Sequence, residues 1–490
     1  MFICDAPVLV ENDNSRVHKT SVTLVVAIII LSFTWYALGR PHLKYAESIV
    51  LSPLYNNDAY MQHKIEPSQK LWKSIYALYK QHAPLHALKL RNKVGIGEIS
   101  GTGFVLNSSD FLDMDPYHVG QMRSVHRSLV ASLPEYTGSH IGYGIVMAGG
   151  GPYLQTAFLS IRMLRRTNCT LPVELWMVDE AEFDETLCKS ELADLGVTCR
   201  VISRIVGPAA IRSIRGFASI LRIIVGKQSR AFYQTKALAI LLSSFEMVLF
   251  VDADNFPLYD PEVLFASHPF ADTGIIAWPD FWRSSVSGYF YNISGMNISH
   301  ASPDLQHHEL AESGTVESGQ IMWNKRTHWK ALVLAVYYNI FGPNFFYPLL
   351  SLGAPGQGDK ETFIMAARVL GDDYYFVAQP VIAIGHYDER GVHRGVAMLQ
   401  ANPILDFAKT PARPFFLHAN NCKFNTNILS SIKKSFPSGP RRIWSDYPDD
   451  IVGYDVERAA FQELEYIACE SKMRALDFCG KVKNHIAQVF

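Results

Sequence analysis

Short apolar runs alternate with stretches of helical spacing through the middle of the chain. Residues 144–148 (GIVMA) form an unbroken apolar run that stops at Gly149-Gly150-Gly151-Pro152. Leu154, Ala157, Phe158, Ile161 and Leu164 then recur every three or four positions, as on a helix with one buried face. Residues 173–178 (VELWMV) and 198–202 (TCRVI) are further runs of strand length. Residues 236–243 read as a helix and 247–251 (MVLFV) as another strand. Apolar strands alternating with helices predict an α/β fold with a mainly parallel central sheet. Outside this region, residues 67–90 hold a helix-like run around Leu71, Ile75, Leu78 and Tyr79. Residues 95–107 are Gly-rich and aperiodic, and 456–471 form the best helix of the tail. No internal repeat or low-complexity stretch is visible.

One segment is unlike the rest. Residues 21–38 (SVTLVVAIIILSFTWYAL) carry no charge and are bracketed by Lys19 and Arg40. Eighteen helical residues rise about 27 Å, close to the hydrocarbon thickness of a bilayer. Trp35 and Tyr36 sit near one end, where interface aromatics are common. A cleaved signal peptide and a buried core helix are the alternatives. The run exceeds a signal-peptide core, and a core helix ordinarily has a polar face. The expected organisation is a cytosolic tail (1–20), a signal anchor (21–38), a stem (39–135), a catalytic domain (136–430) and a C-terminal extension (431–490). The basic residues flanking the span tie, Arg16 and Lys19 against Arg40 and Lys44, so orientation rests on sequons and cysteines. Sequons occur at Asn107, Asn168, Asn292 and Asn297, all beyond the span. So do Cys169, Cys188, Cys199, Cys422, Cys469 and Cys479, an even set that permits disulfides in an oxidising lumen, or six buried thiols. Both observations favour a lumenal body.

Composition narrows the classes. With 490 residues, 48% hydrophobic and 19% charged, the chain is globular and has ample core. Lys+Arg total 45 and Asp+Glu 46, so no cationic surplus exists to neutralise a nucleic-acid backbone.

Candidate chemistry centres on Asp252-Ala253-Asp254, directly after the run 247–251. Open α/β sheets bind ligands at the carboxyl ends of strands. Two acids at i and i+2 there can reach one divalent cation and its bound diphosphate. A polar turn is the bland alternative, since Asn-Phe-Pro follows. A phosphotransferase with Asp252 as nucleophile is a third reading, although such motifs usually continue with Thr or Gly. His418, in 414–425 (PFFLHANNCKFN), is either a third metal ligand or a structural histidine, and Lys423 can neutralise a departing diphosphate. Asp359 and Glu361 precede and open a helix over 362–370; capping explains them, or they accept hydrogen bonds from sugar hydroxyls. Gly149, Gly150 and Gly151 let a backbone approach a nucleotide or simply make a turn; they are not a GxGxxG fingerprint. Trp282, in 279–283 (PDFWR), stacks on a sugar or packs.

The stretch 233–261 (YQTKALAILLSSFEMVLFVDADNFPLYDP) resembles the core of the fungal Golgi mannosyltransferases of glycosyltransferase family 71. Further matching pieces occur in the family's order: 142–166, 279–283, ESGQ at 317–320 with KRTHW at 325–329, GDKETF at 358–363, and 418–425. The resemblance covers roughly 135–430 and implies a GT-A type nucleotide-sugar fold, a GDP-mannose donor and Mn²⁺. It assigns Asp252, Asp254 and His418 to the metal. Gly149, Gly150, Lys236, Asp252 and Lys423 fall to the nucleotide sugar, and Asp359 and Glu361 are catalytic candidates. It implies transfer with retention to a mannan or an N- or O-glycan mannose, α-1,2 or α-1,3. A non-catalytic mannan-binding subunit of a Golgi transferase complex is the alternative. The implied setting is the Golgi membrane, single-pass type II, with the body lumenal. Protease added to sealed Golgi vesicles should therefore trim only the N-terminal tail, and glycosidase should lower the mass of the protected body. Digestion of the body without detergent would reverse the orientation.

Overall fold

The computed structural model describes residues 57–95, 110–208, 233–296, 314–354, 358–446 and 452–490. The expected tail and span, with the sequons at Asn107 and Asn297, lie outside these residues. Among the described residues no helix is long and apolar enough to cross a membrane.

The apolar runs become β1 (Tyr143–Ala148), β2 (Val173–Met177), β3 (Val197–Val201) and β4 (Met247–Asp252), paired in parallel in the order β3-β2-β1-β4. The chain continues through β5 (Asn255–Pro257), β6 (Ile275–Arg283), β7 (Gly314–Asn324), β8 (Tyr375–Phe376), β9 (Ile382–Tyr387), β10 (His393–Ala401) and β11 (Pro414–His418). Beyond β4 the main sheet proceeds β7-β6-β8, with β7 antiparallel to both β4 and β6 and β8 parallel to β6. The central sheet is thus α/β and mainly parallel but mixed. A second sheet, β5-β11-β10-β9, is wholly antiparallel. The apolar pattern does not reveal this sheet, because β5 pairs with β11 across a long separation in the chain.

The main sheet is buried on both faces, so its strands read as unbroken apolar runs. Ile145, Met147, Leu249 and Val251 enter one core, while Val146, Val248 and Phe250 enter the other. Helix Leu154–Arg166 serves the first core. Helices Tyr233–Leu242, Trp329–Ile340 and Lys360–Leu370 serve the second. Core residues cross both boundaries read from the sequence. Trp72 and Tyr79 of helix Asn57–Gln81, with Leu112 and Leu129, join the second core. Phe461 and Leu464 of helix Val456–Cys469, with Val482 of helix Leu476–Val489, join the first. Glu463 reinforces that docking through Arg162 (2.5 Å) and Arg166 (2.8 Å).

The cysteine connectivity left open by spacing includes Cys188–Cys199 and Cys469–Cys479, while Cys169 is a buried free thiol. Asn168 is exposed, in a left-handed conformation (φ 64°) just past helix Leu154–Arg166. Asn292 is exposed on helix Gly288–Ser294 and accepts a hydrogen bond from Arg123.

Because Phe461 is fully buried against Phe424, His485 and Phe490, Phe461→Ala should destabilise the whole body by about 3–5 kcal/mol. Chemical denaturation should show one shifted transition; an early melt of the tail alone would mark it as a separate unit.

Candidate functional site

The main chain leaves the parallel sheet at Asp252 and enters the antiparallel one at Asn255. Each step of this crossing is anchored. The Ser160 hydroxyl donates to the Ala253 carbonyl at 2.6 Å, and the Ala419 amide to the Asp254 carbonyl at 2.9 Å. Asn255 Nδ2 donates to the Gly319 carbonyl at 2.9 Å and to Gln320 Oε1 at 2.5 Å. Strand β11 pairs with β5 so that His418 stands opposite Asn255. His418 Nε2 then lies 3.2 Å from Asp254 Oδ1. Ligand atoms of Asp252, Asp254 and His418 all fall within 4.8 Å of one another. Two carboxylates and an imidazole suit a divalent cation, so the residues present fit the metal that the family resemblance implies.

Two lysines balance the acids. Lys236 is buried, and its Nζ lies 3.1 Å from Asp252 Oδ2 and 3.2 Å from Asp359 Oδ2. It also donates to the Ser318 carbonyl (2.6 Å) and hydroxyl (2.9 Å). Burial alone would lower its pKa; the charges of Asp252, Asp359 and Glu317 outweigh burial and raise it. Lys423 pairs with Asp254 and sits 5.8 Å from the ring centroid of Tyr153, while burial depresses its pKa to about 8.

The structure divides the predicted catalytic pair. Asp359 joins the Lys236–Asp252 network. Glu361 accepts from the Val316 amide at 3.2 Å instead and, among the described residues, has no ion pair with Lys236. Asp359 is the N-cap of helix Lys360–Leu370 and Glu361 lies in its first turn, and the two carboxylates make separate contacts. Gly149 and Gly150 are required by packing. A Cβ on Gly149 would lie 2.8 Å from that of Ala157 and 3.2 Å from that of Ala253; one on Gly150 would meet Glu182 Oε2 at 2.7 Å. Trp282 is half-buried and packs on the second core.

Several site residues had no role in the sequence reading. Glu317 presents Oε1 to His418 Nδ1 at 3.5 Å. Burial would raise its pKa, but the His418 ring beside it, with Lys236 and the Gly319 amide, holds it below the ordinary carboxylate value. Ser318 carries Lys236, Lys360 bridges Asp280 (2.7 Å) and Thr315 (3.1 Å), and Tyr153 lies against Lys423. The available signal was Glu317 itself, a carboxylate inside an otherwise buried strand.

An α/β body that sets two acids at a parallel strand end, an imidazole across the gap and a buried lysine between Asp252 and Asp359 has the layout of a ligand site at the carboxyl end of a sheet. Residues 142–402, more than half of the chain, match the family model described as "Mannosyltransferase putative". The chain belongs to this mannosyltransferase family and is thereby a glycosyltransferase. It is 32% identical to alpha-1,2-mannosyltransferase MNN21 of Candida albicans, over 77% of this chain and 67% of that protein. It is 33% identical to alpha-1,2-mannosyltransferase MNN2 of Saccharomyces cerevisiae, over 61% of this chain and 53% of that protein. The chain therefore spans about half to two thirds of the length of these relatives. Among solved structures, core-mannan synthase A of Aspergillus fumigatus, in an Mn/GDP form, aligns at 12% identity and TM-score 0.33, over 50% of this chain and 75% of that one.

Burial raises the Glu361 pKa from 4.5 to about 7. Above pH 7 the carboxylate is charged in folded and unfolded states alike, and burial penalises the folded one. Below about 4.5 it is neutral in both. Wild-type stability should therefore fall as pH rises through this window. Glu361→Gln, which keeps an oxygen for the Val316 amide, should remove that slope and exceed wild type at pH 8 by up to about 3 kcal/mol. Urea midpoints at pH 5 and pH 8 read the difference; equal shifts at both would contradict the charge penalty.

Proposed function

We propose that this protein transfers mannose from GDP-mannose to a mannose residue of a mannan or of an N- or O-linked glycan, forming an α-1,2 linkage with retention. The carrying observation is the convergence of Asp252, Asp254 and His418 within 4.8 Å at the end of β4. The α-1,2 linkage, over the α-1,3 alternative, is supported by the names of the relatives in C. albicans and S. cerevisiae. A GT-A type arrangement agrees with the mainly parallel sheet and the strand-end acids. The disulfides and the exposed Asn168 sequon support a lumenal body behind a type II Golgi anchor at residues 21–38. Other transferase subunits are candidate partners in that membrane.

Asp252, Asp254 and His418 would hold Mn²⁺, which when bound supplies Lewis-acid stabilisation of the departing diphosphate. The protein's own groups do the rest. Lys236 keeps Asp252 and Asp359 at fixed separation and stays cationic between them. Asp359 can accept hydrogen bonds from hydroxyls of the transferred sugar, with Lys236 setting its orientation. Lys423, on the loop after β11, brings positive charge beside Asp254 and is the group placed to meet diphosphate oxygens. The serine hydroxyl and backbone bonds around residues 253–255 hold the acids in place before any ligand arrives, so little reorganisation is needed on binding.

Chelation with EDTA should abolish mannose transfer, and Mn²⁺ should restore it. Asp254→Asn retains shape but removes a charge from the ligand set, so kcat/KM should fall at least about a hundredfold, on the order of 2.7 kcal/mol. Full turnover in chelator would remove the metal dependence, and binding of mannan with no GDP formed would replace the transferase reading with a binding subunit.

A further inference from the structure

Glu317 is a buried carboxylate at the site with no role in the steps above. It stands on β7, the antiparallel neighbour of β4, and β7 pairs Gln320 with Val251, the residue before Asp252. Its Oε1 accepts from the Gly319 amide at 2.5 Å and lies 3.5 Å from His418 Nδ1. The other ring nitrogen, Nε2, is the one turned to Asp254, at 3.2 Å. The imidazole is therefore strung between two carboxylates, one on each side. Nδ1 is buried and makes no hydrogen bond in the structure, and the Glu317 carboxylate 3.5 Å away is the charged group it faces. The approach depends on a missing side chain. A Cβ on Gly319 would fall 2.6 Å from His418 Nδ1, 2.7 Å from its Cε1 and 2.8 Å from Glu317 Oε1.

A neutral imidazole has one N–H and one bare nitrogen, and only the bare nitrogen can bind a cation. A carboxylate at Nδ1 selects the tautomer whose proton sits there and leaves Nε2 bare on the Asp254 side. We propose that Glu317 is the positioning residue of His418: it takes the Nδ1–H, fixes the ring's orientation and presents Nε2 to a divalent cation shared with Asp252 and Asp254. Gly319 serves the same end by letting the ring approach β7 closely. This inference rests on the metal reading of the three-residue cluster.

The test is Mn²⁺ titration of the detergent-solubilised full-length protein, with free Mn²⁺ read by electron paramagnetic resonance and no sugar nucleotide present. Glu317→Ala should weaken Mn²⁺ binding by about 10–100-fold. Glu317→Gln keeps the shape and an acceptor oxygen and should weaken it less; it also serves if the alanine variant does not fold. In a His418→Ala background, either change should alter Mn²⁺ affinity by less than about twofold, because a residue acting through His418 has nothing left to act on. A melting-temperature loss with wild-type Mn²⁺ affinity would overturn the proposal by making Glu317 merely structural. An equal loss of affinity with and without His418 would also overturn it, since Glu317 would then act by its charge alone. If the wild-type protein binds no Mn²⁺, the metal reading falls and this inference falls with it. If wild type binds and the Glu317 variants bind equally well, only the positioning role fails.

Discussion

The site depends on one register: the pairing of β5 with β11 that sets His418 opposite Asn255. The crossing from one sheet to the other spans only Asp252 to Asn255, so the two acids hang in the gap where the sheets meet. A slip of one residue in β11 would turn His418 to the opposite face of its strand and away from Asp254. The register is held on several sides, by the Ala419 amide on the Asp254 carbonyl, by Ser160 on the Ala253 carbonyl and by Asn255 on β7. Strand, helix and second sheet thus all contribute to the position of two carboxylates.

Charge balance is the second constraint. Asp254, Glu317 and Asp359 are buried, and an isolated buried carboxylate is costly. Here each has a cationic or imidazole neighbour: Lys423 and His418 for Asp254, His418 for Glu317, Lys236 for Asp359. Removing one partner of such a buried set leaves the other charge unpaired, which costs more than the pair itself contributes. Glu361 marks the limit of this network. It sits near Lys360 yet is bonded to a backbone amide, and burial moves it toward neutrality.

Described residues from Glu66 onward on one side of the central region, and the helices Val456–Cys469 and Leu476–Val489 on the other, belong to the same body. Trp72 and Tyr79 close one face of the sheet, and Phe461, Leu464 and Val482 help close the other. A sheet buried on both faces needs a cover on each. The stretches that read as stem and extension supply part of it.

Local pattern was enough to place the parallel strands, the helix before the strand-end acids and the helix after Asp359. Each is a contiguous run whose burial follows from its own period. The Asp252-Ala253-Asp254 turn was legible for the same reason, since a strand end is a local feature. The resemblance carried His418 and Lys423 to the same site. The antiparallel sheet and the reversed β7 were not legible, because pairing direction and register arise between segments as distant as residues 255 and 418. The parting of Asp359 from Glu361 needed the position of Lys236, and the role of Glu317 needed the ring of His418 against Gly319. Sequence by itself determined which segments are buried and which acids end a strand, because those properties belong to consecutive residues. Tertiary structure alone decided which charges meet, because a salt bridge or a ligand set depends on distances of a few ångströms between residues that no sequence spacing relates.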